Sequence, residues 1–260
     1  MMKANDLFAK EKRGVPENTP HLNDPSITPG VIRGIIVGII LLVILVHIGF
    51  SKTYIQFFPK FDGFKAAQHF HGMMMMGWLL MLLVQPILIL KGKTKLHRRI
   101  GTLSYVLAPL VLLSMYLVIQ SRYDVYLERG RETKAVIAWL SLNFRLMVFF
   151  AILYFLAIYY RHRPALHMRY MCSTALLLIA PALVRVLISY QELSNADSHS
   201  IDRNANILIA GVITIVDSWR TKRLSPFTLV LGFMVLQKIL WDMREAPLWQ
   251  AVGNVIAKMF

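Results

Sequence analysis

Residues 31–50 read VIRGIIVGIILLVILVHIGF, twenty positions with one formal charge, Arg33. A helix of that length rises about 30 Å, the thickness of a bilayer's hydrocarbon core. Four further stretches repeat the pattern, at 67–90, 100–120, 136–160 and 168–190. Five such runs cannot all be buried in a water-soluble domain of this size. The chain therefore reads as an all-α, polytopic transmembrane helical bundle. Two weaker candidates follow: 201–219 is interrupted by Asn204, Asn206 and Asp217, and 226–241 is short and carries Lys238 near its end. The expectation is about seven spans, with a four-helix core from spans two to five. The chain divides into a flexible tail over 1–30 holding Pro16, Pro20, Pro25 and Pro29, a membrane domain over 31–241 and an outer segment over 242–260.

Only 17% of residues are charged, against about 25% in ordinary globular chains, yet the formal net charge is +15. Alternating the spans from a cytoplasmic N-terminus resolves the conflict. Sixteen basic and five acidic residues then fall inside, and ten basic and nine acidic residues outside. Lys and Arg favour short cytoplasmic loops, so the arrangement is N-in, C-out. The first apolar run starts too late and is too long for a cleaved signal peptide, and reads as an uncleaved anchor. Topology and attraction to anionic head groups account for the basic surplus without nucleic acid. The lipid bilayer is the first partner. Cys172 is the sole cysteine, which excludes a disulfide scaffold and Cys-rich metal motifs. The chain has no Gly-rich phosphate loop, no His-Glu-x-x-His motif and no nucleophile triad, so acyl and phosphoryl chemistry are unsupported.

Five histidines lie at or near span ends, in two layers. His47, His69 and His71 are expected near the outer face, and His97 and His167 near the inner one. His69 and His71 stand roughly 200° apart around a helix, so only one can face a given site. His71 shares a stripe with Met75, Trp78, Leu82 and Gln85, which favours it as the inward residue. His97 lines up with the small residues Gly101, Ser104 and Ala108, and His167 with Met171, Thr174, Leu178, Pro181 and Arg185. Two spans open alike, Leu96-His97-Arg98-Arg99 and Leu166-His167-Met168-Arg169, which suggests two related hairpins.

A b-type heme requires two imidazoles, or one imidazole and an open site, from facing helices, with an apolar pocket and cations for its propionates. His97 and His167 would serve the inner layer, beside Arg98, Arg99 and Arg169. His71 would serve the outer layer with His47 or His69, beside Arg145 or Arg185. The alternative for His47, His69 and His71 is a zinc or copper site. Met73 to Met76 point in four directions and suit packing better than a copper ion. Arg145 lies well inside the fourth span, where a charge costs about 2.5–3.5 kcal/mol or more, so it needs a partner or a wet cavity. Arg185 is nearer the surface and can snorkel.

The stretch His71-Gly72-Met73-Met74-Met75-Met76-Gly77-Trp78, ending at Gln85-Pro86, resembles the first core helix of ascorbate-reducible transmembrane b-type cytochromes. His97-Arg98-Arg99-Ile100-Gly101 is similar to the opening of another core helix of those proteins. The resemblance implies His71, His97 and His167 as heme ligands and electron transfer across the membrane. Those cytochromes take one histidine from each of four helices. Here the fourth span has none, which leaves the outer heme to His47 or His69. Over residues 65–190, the paired His-Arg-x-x-Gly and His-x-Arg-Tyr-Met starts also look like an uncharacterised bacterial membrane-protein family, in which an arginine ends the later helix where Arg185 stands. That likeness implies a multi-pass protein of the bacterial cytoplasmic membrane and no particular activity. The expected function is heme b binding with electron transfer or heme handling, as a membrane oxidoreductase or electron carrier with a quinone or redox protein as partner. The alternative is a non-redox transporter or a respiratory-complex assembly factor.

Overall fold

The computed structural model describes residues 27–260. The expected tail lies outside them except for its last four residues. Ten α-helices follow, with no strand among the described residues: α1 (Pro29–Ser51), α2 (Ala66–Leu90), α3 (Thr94–Gly101), α4 (Ser104–Glu128), α5 (Thr133–Tyr159), α6 (Pro164–Leu176), α7 (Ile179–Tyr190), α8 (Asn195–Thr221), α9 (Phe227–Asp242) and α10 (Pro247–Ala257). Five segments are long and apolar enough to cross a membrane: α1, α2, α4, α5 and the pair α6–α7 taken together.

Local chemistry sets the helix ends. Thr28 caps α1 by accepting from the Val31 amide at 3.3 Å, and Pro29 supplies a preset φ at the first position. Ser194 caps α8 by accepting from the Asp197 amide at 3.1 Å. The basic turn after α2 reverses through Gly92 at φ +69°.

Two runs that read as single spans are broken. The third run divides at Thr102–Leu103 into α3 and α4. There the Thr102 hydroxyl donates to the Arg99 carbonyl and the Ser104 hydroxyl to that of Gly101, each at 2.7 Å. Such side-chain bonds compete with the helical ladder. The fifth run divides at Leu177–Leu178. Pro181 has no N–H for the Leu177 carbonyl, so the ladder cannot continue through it. His97 thus sits on a short helix of its own rather than on the spanning helix, and the face from His167 to Arg185 is not one straight stripe. Both helices that open with a histidine are interrupted.

Helix α2 packs on α4 and α1, α4 on α5, α5 on α6, and α1 on α7, while α8 joins α7 to α9. At the crossing of α1 with α7, a Cβ on Gly49 would fall 2.5 Å from the Ala182 carbonyl oxygen. Small residues admit this kind of close approach between membrane helices. The buried centre includes Trp78 and Leu79, Ala108 and Val111, Phe150 and Leu153, and Ala175 and Leu178, drawn from the second to the fifth run. It also draws on Ile39 and Leu42 of α1, Ala210 of α8, and Val230 and Met234 of α9. The packed core is therefore wider than four helices.

Helix α8 has inverted polarity. It buries Ser198, Asp202, Asn206 and Thr214, and exposes Leu208, Val212, Ile215 and Trp219. A helix on a water-soluble protein does the reverse.

Three basic turns, at 91–93, 160–163 and 222–226, gather at one end of the bundle, called here the basic face. The Tyr154 hydroxyl reaches Ser104 at 3.1 Å, and Arg169 pairs with Asp217 at 2.7 Å, which brings these chain segments together. The residues after 242, expected as an outer segment, turn back at the far face. Helix α10 lies along the first half of α5, where the Gln250 amide donates to the Lys134 carbonyl at 3.2 Å. The Tyr116 hydroxyl donates to the Met259 carbonyl at 2.9 Å, and Phe260 stacks on the Tyr116 ring. Gly253 makes the contact possible, because a Cβ there would collide with Ile137 and lie 2.8 Å from the Ser141 hydroxyl. Gly253→Val is expected to cost about 1–3 kcal/mol by overpacking, read as a lower thermal midpoint in detergent. An unchanged midpoint would show that α10 contributes no stability.

Candidate functional site

The histidines separate into distinct environments. On the basic face, His167 of α6 points its Nδ1 at the Ala157 carbonyl of α5, 2.8 Å away. A carbonyl only accepts, so Nδ1 carries the proton and Nε2 keeps its lone pair. A metal-bound imidazole is commonly held this way. His97 of α3 meets Gln85 of α2. With its amide nitrogen toward His97, Gln85 donates to His97 Nδ1 and to its carbonyl at 3.1 Å, and accepts from the Gly101 amide at 3.2 Å. This favours the opposite tautomer, with the proton on Nε2. Burial lowers the His97 pKa, and nearby His167 lowers it further.

The cations expected around this pair have different surroundings. Arg169 is buried, and its Nε and Nη2 donate to both carboxylate oxygens of Asp217 at 2.7–3.1 Å. Its Nη1 donates to the Ala165 carbonyl at 2.9 Å. Asp217 also accepts from the Ser225 hydroxyl at 2.6 Å. The pair joins α6 to α8 across 48 positions of sequence. Arg98 and Arg99 remain exposed.

Toward the far face, His71 of α2 lies 3.1 Å from the Ser114 hydroxyl of α4. Ser114 gives its own proton to the Val111 carbonyl at 2.7 Å, so His71 Nδ1 is the donor and its Nε2 is unprotonated. The stripe that includes His71 faces the bundle, with Trp78 and Leu82 buried. The other two histidines of this layer do not join it. His47 is exposed on α1. His69 is bound to the Tyr54 hydroxyl at 2.5 Å among the rings of Tyr54, Phe61 and Phe64. Among the described residues, no three His, Cys, Asp or Glu side chains converge as a metal ion needs.

Arg145 and Arg185 both find aromatic rings. The Arg145 guanidinium lies 4.4 Å from the Trp249 ring centre of α10, while its buried Nε and Nη1 have no hydrogen-bond partner. A desolvated cation–π contact is worth about 2 kcal/mol. Asn143 donates instead to the Trp139 carbonyl at 2.8 Å. Arg185 Nη1 donates to the Pro181 carbonyl at 2.6 Å, and the guanidinium lies 4.2 Å from the Phe50 ring.

A bis-histidine heme is therefore matched unevenly. On the basic face, His167 has the right tautomer, and His97 would match after a proton shift and rotation of Gln85. Toward the far face, neither His47 nor His69 joins His71. Ser114, Gln85, Trp249 and the Arg169–Asp217 pairing were not apparent from the sequence as partners. Gln85 alone carried a signal, since it lies on the His71 stripe. Comparison with family models, with curated proteins and with solved structures gave no match.

Proposed function

We propose that this is a multi-pass protein of the bacterial cytoplasmic membrane that binds one heme b at its basic face, through His167 and His97, and handles heme or passes electrons there. The observation that supports it most is His167, whose Nδ1–H is tied to the Ala157 carbonyl and whose Nε2 is left to a ligand. Heme would supply one-electron chemistry. The chain would fix the imidazole planes through Ala157 and Gln85 and offer Arg98 and Arg99 to the propionates. The exchange partner would be a quinone or a redox protein. In this reading α8 and α9 are the sixth and seventh spans, N-in and C-out, because α8 turns its apolar side outward and its polar side inward.

The visible spectrum tests the proposal. Protein purified from heme-replete cells is expected to show a Soret band, and His167→Ala to abolish it. A colourless wild type, or a band that survives in both His167→Ala and His97→Ala, overturns the assignment.

A second reading is a non-redox transporter or respiratory-complex assembly factor. It is favoured by the dispersal of His47, His69 and His71 and by the two buried guanidinium nitrogens of Arg145 without partners. A colourless protein whose Arg145→Ala variant loses transport or assembly would support it.

A further inference from the structure

The face formed by α4 and α5 is covered over its far half by α10 and open over its basic half. The open half is an apolar groove of about 620 Å³, lined by Leu113 and Tyr116 of α4 and by Val148, Ala151, Ile152 and Phe155 of α5. Ala151 is the smallest of the lining side chains and leaves room at the floor. Tyr116, engaged with Met259 and Phe260, closes the groove at mid-depth. At the other end the Phe155 ring stacks on Tyr159, 6.1 Å between centres. Tyr159 in turn lines a second, polar pocket of about 280 Å³ with Tyr160, His162 and Arg163. The stacked pair thus lies between the apolar groove and the polar pocket.

We propose that this composite groove binds one anionic phospholipid of the leaflet at the basic face, its acyl chain along α4–α5 and its phosphate at His162 and Arg163. Depth argues for a lipid. From Met147 to Tyr159 a helix rises about 18 Å, close to one leaflet's share of a hydrocarbon core of about 30 Å. A partner's spanning helix would need the whole depth, and α10 already fills the other half. Charge argues for an anionic head group. The turn at 160–163 reads Tyr-Arg-His-Arg and contains no acid. The exposed Tyr159 ring sits where aromatic residues meet the interface.

Native mass spectrometry of the detergent-solubilised protein tests this, using phosphatidylglycerol and phosphatidylcholine with identical chains. A basic residue near the surface is worth about fivefold in affinity for anionic lipid. Wild type is therefore expected to retain phosphatidylglycerol at least about fivefold better than phosphatidylcholine. His162→Gln with Arg163→Gln should bring the two lipids level. Ala151→Trp should weaken both by filling the floor, and Ile152→Trp, at the exposed rim, should do so without disturbing the packed core. Equal retention of the two lipids by wild type would overturn the proposal. So would undiminished phosphatidylglycerol binding in the double variant, or in both tryptophan variants.

Discussion

Arg169→Ala is expected to destabilise the protein by about 3–5 kcal/mol, because it leaves the Asp217 carboxylate without its partner in a largely dry site. Arg169 is 4% exposed and Asp217 19%, so water can replace little of what is lost. The guanidinium meets the carboxylate through two of its nitrogens, an arrangement a lysine cannot reproduce. Asp217→Ala should also destabilise, by taking the acceptor from the Nε and Nη2 of Arg169, whose Nη1 keeps the Ala165 carbonyl. The Ser225 hydroxyl would lose its acceptor as well, loosening the turn into α9. The double variant should lose less than the sum, since both single changes remove the same contact. Thermal unfolding in detergent, completed as a double-mutant cycle, measures the coupling. Strictly additive losses would mean that the pair does not hold α6 to α8.

Trp78→Ala is expected to cost about 3–5 kcal/mol, the range for removing a buried aromatic side chain. Trp78 is fully buried. Its ring packs edge-on against Phe150 and Tyr154, with centres 5.2 and 5.6 Å away. Its indole N–H donates to the Thr174 hydroxyl at 3.1 Å. Inside a bilayer, water gives helices no push toward one another, so packing of this kind carries the association. Trp78→Phe should restore most of the volume but leave Thr174 without its donor, for about 1–3 kcal/mol. Unfolding midpoints of the three proteins, measured in one detergent, order the effects. If phenylalanine costs as much as alanine, the hydrogen bond outweighs the ring.

The membrane-spanning character was legible because apolar length survives any arrangement of neighbours. Residues 31–50 need no context to read as a span. The breaks at Thr102 and at Leu177 were not legible, since Ser, Thr and Pro also occur within continuous membrane helices. Helix α8 read as weak because hydropathy adds up every residue, whereas Asp202 and Asn206 are turned inward and Leu208 and Ile215 outward. The histidine layers were read from depth alone. Depth cannot show that His69 faces Tyr54, across a turn, or that His47 faces away from the bundle. Partners such as Gln85 for His97 depend on how α2 meets α3, which periodicity within one helix does not contain.

A segment built like α8 cannot be placed in a bilayer by its own hydropathy. Polar groups inside an inserting helix disfavour its insertion, and α8 carries Asp202 and Asp217 together with Asn204 and Asn206. The helices that precede it in synthesis already hold its counterparts, above all Arg169 on α6. On the proposed seven-span reading, α1 to α7 would form a template, and α8 would enter against it with Asp217 matched by Arg169. On the same reading, loss of Arg169 would leave an α8–α9 hairpin without the partner that matches Asp217, measured as lower accumulation of the Arg169→Ala protein in the membrane fraction.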